Sequence, residues 1–310
     1  MNRPLLSIAS LIVCLLLSST LFAQPDSVQD NSNDLEKMLE QDNKTSSKKI
    51  FIKNAFKSSR VINGHSMEFI GKGVLDFRIL HRFGMIKNGY RELFGLDQAS
   101  MRFGFDYGVT KNLTLGVGRS TFNKEVDGFV KYRIIHQHKG YKAIPFSLVW
   151  TSGITLNTTK ITDSRLNIFS NRLGYYHQAI VGRKFGEIFT FQLSPTFVHR
   201  NLVDLNSDKN DMLALGIGSR LKLTNRSALI LDAFPLLYGA RSNYNRLPLS
   251  IGLDIETGGH VFQLHVSNSR GMNEKAFITE TTQRWDKGEI QIGFNLSRVF
   301  TVQRNEETSW

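Results

Sequence analysis

The segment Met67-Glu68-Phe69-Ile70-Gly71-Lys72-Gly73-Val74-Leu75-Asp76-Phe77-Arg78-Ile79-Leu80-His81-Arg82-Phe83 sorts by alternate position. Met67, Phe69, Leu75, Phe77 and Ile79 share one face, while Glu68, Lys72, Asp76, Arg78 and Arg82 share the other. A period of two is the mark of a strand with one apolar and one polar side. The same split recurs downstream. Ala99, Met101, Phe103, Phe105 and Tyr107 oppose Ser100, Arg102 and Asp106, and Val130, Tyr132 and Ile134 oppose Lys131 and Arg133. Phe146, Leu148, Trp150 and Ile154 alternate with Ser147, Thr151 and Thr155, and Leu249, Ile251, Leu253 and Ile255 with Ser250, Gly252, Asp254 and Glu256. Around residues 173–183 the parity is ambiguous, because Tyr175-Tyr176 and Ile180-Val181 occupy both faces. Residues 229–237 are only weakly patterned.

About twelve such strands can be counted, within a range of ten to fourteen. The gaps centred on residues 90, 123, 161, 206, 242 and 278 read as loops of some length, whereas those centred on 112, 185, 226 and 259 read as tight turns. The gap at 140 is longer than its class requires. Short turns at one end and longer loops at the other are the pattern of an outer-membrane barrel. The expected fold is therefore all-β, a transmembrane antiparallel up-and-down β-barrel with short periplasmic turns and longer extracellular loops. A soluble β-sandwich also alternates, but one face of each of its sheets meets water and its loop lengths have no reason to alternate.

The start of the chain has the layout of a secretory signal. Arg3 precedes an apolar run at 5–17, a polar break at Ser18-Ser19-Thr20, and Leu21-Phe22-Ala23, with cleavage expected after Ala23. The expected division is a signal peptide at 1–23, a polar flexible periplasmic leader at 24–56, a barrel at 57–300 and a polar tail at 301–310, in the cell outer membrane. The only cysteine is Cys14, so the exported chain has no disulfide framework. No later stretch reaches the ~18 apolar residues of a spanning helix.

Two stretches carry a family resemblance. One is Val61-Ile62-Asn63-Gly64 with Gly71-Lys72-Gly73, Arg78 and His81-Arg82-Phe83-Gly84. The other is Leu93-Phe94-Gly95-Leu96-Asp97-Gln98-Ala99-Ser100, running into Asp106-Tyr107-Gly108-Val109-Thr110 and Gly116-Val117-Gly118-Arg119-Ser120, with Asp127-Gly128-Phe129-Val130-Lys131-Tyr132 beyond. They resemble an uncharacterised Gram-negative outer-membrane β-barrel family, a domain of unknown function. The resemblance implies fold and location and brings no catalytic or binding residues with it.

By parity, Glu68, Lys72, Asp76, Arg78, Arg82, Arg102, Asp106, Lys131 and Arg133 are the candidate lumen-lining residues, with Arg220, Lys222, Asp254 and Glu256 further on. Charges inside a barrel must be hydrated or paired. Two outcomes follow. A basic constriction would admit small anionic solutes, and interlocked carboxylates and guanidiniums would plug the lumen. An outer-membrane lipid hydrolase and a barrel binding through its extracellular loops are alternatives. The first would centre on His177, which has no serine elbow motif near it. His136-Gln137-His138 places two imidazoles on one face without a third ligand. No catalytic residue, metal or cofactor is expected. The expected partners are outer-membrane lipids, the barrel-assembly machinery and small anionic solutes, with no nucleic acid. The net charge of +12 fits lumen lining and lipid contact.

Overall fold

The computed structural model describes residues 48–160, 167–203, 208–239, 245–257 and 260–303. The signal segment, most of the leader and the end of the tail lie outside the described residues. Among the described residues there are fifteen strands: β1 (Lys49–Phe51), β2 (Val74–Met85), β3 (Ala99–Gly108), β4 (Leu113–Ser120), β5 (Glu125–Ile135), β6 (His138–Gly140), β7 (Ser147–Asn157), β8 (Leu173–Phe185), β9 (Phe189–Arg200), β10 (Asp211–Lys222), β11 (Ser227–Ala233), β12 (Leu236–Tyr238), β13 (Leu249–Thr257), β14 (His260–Ser267) and β15 (Gln291–Thr301). One short helix, α1 (Glu274–Thr279), sits between β14 and β15.

All wall pairings are antiparallel between neighbours, and β15 pairs with β2, so the sheet closes on itself. Strands β11 and β12 both pair with β10 and form one interrupted strand, which makes the wall twelve-stranded. The interruption at Phe234-Pro235 accounts for the weak pattern read at 229–237, because Phe234 leaves the ladder and is buried in the interior. Closure leaves no edge strand, the condition for a sheet to cross a bilayer. Phe103, Phe105, Val117, Val130, Ile154, Phe197 and Leu264 are among the large apolar side chains left exposed on the outside. Such a belt is suited to lipid, not water.

Parity within the wall is as expected. On β2, Asp76, Arg78, Leu80 and Arg82 are buried, and their odd-numbered neighbours point outward. On β8, Gly174, Tyr176, Gln178, Ile180 and Gly182 point inward, which resolves the ambiguous stretch. The gaps centred on 161, 206, 242 and 259 lie outside the described residues, and among the described connections two depart from the expected division. The link at 121–124 is a short 3-10 turn and not a long loop, since β4 and β5 stay paired as far as Arg119 and Val126. The link at 136–146 is long because it contains β6, which pairs with β1 in a separate two-stranded sheet.

The largest correction concerns the opening segment. The wall begins at Val74, not Met67. Residues 55–67 lie in the barrel interior, so Met67 and Phe69 do not face lipid. Met67 is buried beside Val149 and Ile180, and Phe69 lies under the Lys131 and Arg133 side chains. Residues 67–73 alternate without any ladder, and Gly71 and Gly73 turn the chain from the interior into the wall. Gly73 needs its φ of 71°, and its amide bonds the Gly108 carbonyl.

Inward glycines make room for large neighbours. Gly116 faces Phe129 across the β4–β5 ladder, and Gly153 faces Tyr176 across β7–β8. A Cβ at Gly116 would lie 2.2 Å from the Phe129 ring. Gly116→Val is expected to destabilise the barrel by about 1–3 kcal/mol through overpacking, read as a lower urea midpoint with an unchanged slope.

Candidate functional site: an occupied lumen

The lumen holds a hairpin formed by residues 58–67. Ser66 donates its amide to Ser59, Val61 donates to Gly64, and Arg60 and His65 form a bridge. Gln192, Gln263 and Asn295 side chains donate to the carbonyls of His65, Val61 and Ile62 at 2.7, 2.7 and 3.0 Å. At the tip, the Asp232 carboxylate accepts the amides of Asn63 and Gly64 at 2.7 and 3.0 Å. The wall thus supplies, through side chains, the partners a neighbouring strand would give. Buried backbone groups demand such partners.

The candidate lumen residues divide by partner. Arg78 pairs with Asp76, lies 3.8 Å from Asp106, and donates to Ser59 Oγ at 2.8 Å. Arg102 forms a bidentate pair with Asp127, with its Nε 2.8 Å from Oδ1. It lies against Gly118 and Gly104, where side chains would collide with the guanidinium. Arg82 and Lys131 instead depend on the hairpin. Arg82 donates to Asn63 Oδ1 at 2.8 Å and to Asn295 Oδ1 at 3.1 Å, while Lys131 Nζ donates to the carbonyls of Ser59 and Glu68 at 3.1 and 2.6 Å. Arg133 stacks over Phe69, 4.2 Å from its centroid. Two candidates are not on the wall. Glu68 belongs to the inserted segment and accepts the Ala55 amide, and Lys72 is exposed in the turn before β2. The vertical charge track read from the sequence is therefore split between wall and hairpin. Further round, Arg220 lies 4.0 Å from Asp254, and Glu256 pairs with Lys57.

A second insertion comes from the other end. The connection at 268–290 carries α1 into the barrel, capped by Asn273, whose side chain accepts the Ala276 amide at 2.8 Å. Phe277 packs edge-on to Phe234 at 4.8 Å, within a layer that includes Phe129, Tyr176 and Val198. The two insertions meet at an ion pair. Arg60 Nη1 lies 2.7 Å from Glu274 Oε1, and both side chains are about 1% exposed. His65 completes the junction, with Nε2 3.0 Å from the Tyr176 hydroxyl. Arg60, His65 and Glu274 were missed in the sequence, because assigning them required knowing that two non-wall segments enter the lumen. On the outer side of this junction, Lys275 lies 2.6 Å from Glu125 and 2.5 Å from Glu280. Burial disfavours the Lys275 ammonium, but the two carboxylates outweigh it and raise its pKa. Burial pushes the Glu280 pKa up, against the pull of Lys275.

The histidines read from the sequence fall elsewhere. His136 stacks on Phe51 at 5.0 Å, with its Nε2 2.8 Å from the Ile52 carbonyl, and His138 meets the same ring edge-on. They fasten the chain that leads into the hairpin. No cluster of metal-ligating side chains is present among the described residues. His177 faces outward, with Nδ1 2.9 Å from Ser152 Oγ, and Trp150 donates to the same Oγ at 2.8 Å.

These features define a membrane β-barrel with a lumen filled from both ends. The chain belongs to the family described as a membrane bound beta barrel domain (DUF5777), whose model matches residues 56–300 and so takes in the hairpin as well as the wall. A search of curated proteins finds no match. Among solved structures, the chain is similar to the COG4313 outer membrane channel from Pseudomonas putida F1, at 13% identity and a TM-score of 0.44, over 75% of this chain and 97% of that one. It is also similar to the translocator domain of autotransporter NalP from Neisseria meningitidis, at 12% identity and a TM-score of 0.37, over 87% and 96% of the two chains. A third likeness is Salmonella typhi OmpF in complex with daunomycin, at 7% identity and a TM-score of 0.37, over 73% and 97%.

The Arg102–Asp127 pair yields a direct test. Asp127→Asn leaves a buried guanidinium uncompensated and is expected to cost about 3–5 kcal/mol, whereas Arg102→Met with Asp127→Leu should be near neutral. Urea unfolding of the three proteins distinguishes a pair that the fold needs from one that it merely tolerates.

Proposed function

We propose that the protein is a narrow, gated outer-membrane channel held closed by its own hairpin together with the α1 insertion that meets it. The carrying observation is how the hairpin is bound. Side chains of Gln192, Asp232, Gln263, Asn295, Arg82 and Lys131 hold it by hydrogen bonds, all of which water can replace on withdrawal. An exclusively apolar seal would not exchange with water in this way. The apolar outer belt and the signal-like start support placement in the outer membrane, with the long loops outward and the termini in the periplasm. Residues 49–51, fastened to β6 at the end that carries the termini, would then lead the hairpin in from the periplasmic side.

Withdrawal leaves Arg82 and Lys131 without their hairpin partners, and equally leaves Asp232 and Glu274 without theirs. With Arg133 and Asp106 added, three cations against three carboxylates give weak selectivity, and the Arg78 and Arg102 charges stay neutralised on the wall by Asp76 and Asp127. Small solutes of either sign would pass.

A cysteine pair tests the gate. A Cβ at Gly218 would lie 3.0 Å from Val61 Cγ2, close enough for a hairpin-to-wall disulfide from Val61→Cys with Gly218→Cys. In a Cys14→Ser background, adding Glu274→Gln to loosen the junction should give conductance steps in planar bilayers when reduced and silence when oxidised. Silence in both states, from protein that still shows folded-barrel mobility, overturns the gate.

A further inference from the structure

At the loop end of the barrel lies a cavity of 530 Å³, walled by α1 and by the ends of β7, β8 and β9. Its size falls within the range of small-molecule sites. Its lining is polar and cationic, with Arg172, Arg200, Arg270 and Lys275 and, among the described residues, the carboxylate of Glu280. Two of these guanidiniums meet no carboxylate among the described residues. Arg172 is oriented by neutral acceptors, the carbonyls of Asn157 and Thr159 at 3.1 and 2.7 Å and the Asn167 amide oxygen at 2.6 Å. Arg270 is exposed and rests over the Phe122 ring, 5.8 Å from its centroid. The Lys275 charge is answered by Glu125 and Glu280, so the excess positive charge lies on the arginine side of the cavity.

We infer that this cavity binds a small hydroxyl-bearing anion, of the size and chemistry of a phosphorylated or carboxylated sugar, and that its occupancy is transmitted to the hairpin through α1. The Arg172 guanidinium, held in orientation by its three acceptors, suits a planar or tetrahedral oxyanion, and Arg270 adds a second positive charge to the same lining. Gln283 and Thr282, with the acceptor oxygens of Asn123 and Thr159, offer partners to sugar hydroxyls, since the Asn123 amide nitrogen already donates to Glu280 and the Thr159 hydroxyl to the Asn123 carbonyl. An uncharged sugar would leave the Arg172 and Arg270 charges without a counter-charge, and a bare inorganic anion would not engage the Gln283 amide and the Thr282 hydroxyl. The link to the interior is one peptide long. Lys275 lines the cavity, and Glu274, its neighbour, holds Arg60 of the hairpin. A ligand that draws Lys275 from Glu125 moves the helix that carries the junction.

Binding is tested on the full chain refolded in detergent, by calorimetry with glucose 6-phosphate, glucuronate and glucose. Either anion should bind at least about tenfold more tightly than glucose, and Arg172→Gln with Arg270→Gln should remove that advantage, as expected for lost charge-assisted bonds. Lys222→Gln, at the opposite end, should change nothing. Equal affinity for glucose, or indifference to the double substitution, overturns the site. Competition with purified lipopolysaccharide identifies the source. Displacement assigns the site to the lipid's sugar phosphates, and lack of displacement assigns it to free solutes. Transmission rests on the gated-channel reading and is read separately. In the reduced Val61→Cys, Gly218→Cys protein without Glu274→Gln, glucose 6-phosphate should raise the open fraction, and after oxidation it should not. Binding with an unchanged open fraction, in a protein that conducts when Glu274→Gln is added, overturns transmission alone. If that protein never conducts, the gate fails while calorimetry still decides the site.

Discussion

Charges turned into the lumen of a twelve-stranded barrel must be answered out of bulk water, and most of the interior follows from that requirement. Arg60, Arg78, Arg82, Arg102 and Lys131 are among the largest fully buried side chains in the protein. An unpaired buried charge costs several kcal/mol, so each needs a carboxylate, a carbonyl or an amide oxygen at hydrogen-bond distance. Arg78 and Arg102 find carboxylates on the wall, Asp76 on the same strand as Arg78 and Asp127 two strands along from Arg102. Arg82 and Lys131 do not, and the hairpin supplies what they lack. The inserted segment is thus required by the wall as much as it is held by it.

The same logic governs the hairpin's backbone. A chain inside a barrel has no neighbouring strand to share a ladder with, yet its amides and carbonyls cannot remain unpaired. Asp232, Gln192, Gln263 and Asn295 act as a strand in side-chain form, each placed by wall parity at the height of its partner. Fixed partners of this kind specify one register of the hairpin without a thick apolar seal. A polar interface is costly to leave half-made and cheap to replace by water in full.

The apolar layer has a different task. Phe129, Tyr176, Phe234 and Phe277 fill the level where hairpin and helix meet, and glycines on the facing strands make space for the rings. The Arg60–Glu274 pair sits in this low-dielectric layer, shielded from competition by water. An ion pair so placed is sensitive to small displacements of either insertion, because neither partner finds solvation close by.

Much of this protein is legible in its alternation. The strands, their inward and outward faces, the closure into a barrel of about twelve and the lumen placement of Asp76, Arg78, Arg82, Arg102, Asp106, Lys131 and Arg133 all follow from a period of two, because each strand has one face in lipid and one away from it. The segment at 67–73 shows where that reading stops. Met67 and Phe69 alternate as wall residues do, but they pack on Val149, Ile180, Lys131 and Arg133 within the lumen, since an inserted chain also has an apolar and a polar side. The Val61-Ile62-Asn63-Gly64 motif likewise gives no local sign that it forms the tip of a plug. The sequence by itself determined a membrane barrel with a charged interior. Only the tertiary structure decided that this interior is closed, because closure rests on contacts such as Arg60–Glu274 and Asn63–Asp232, between residues 214 and 169 positions apart, which no local periodicity encodes.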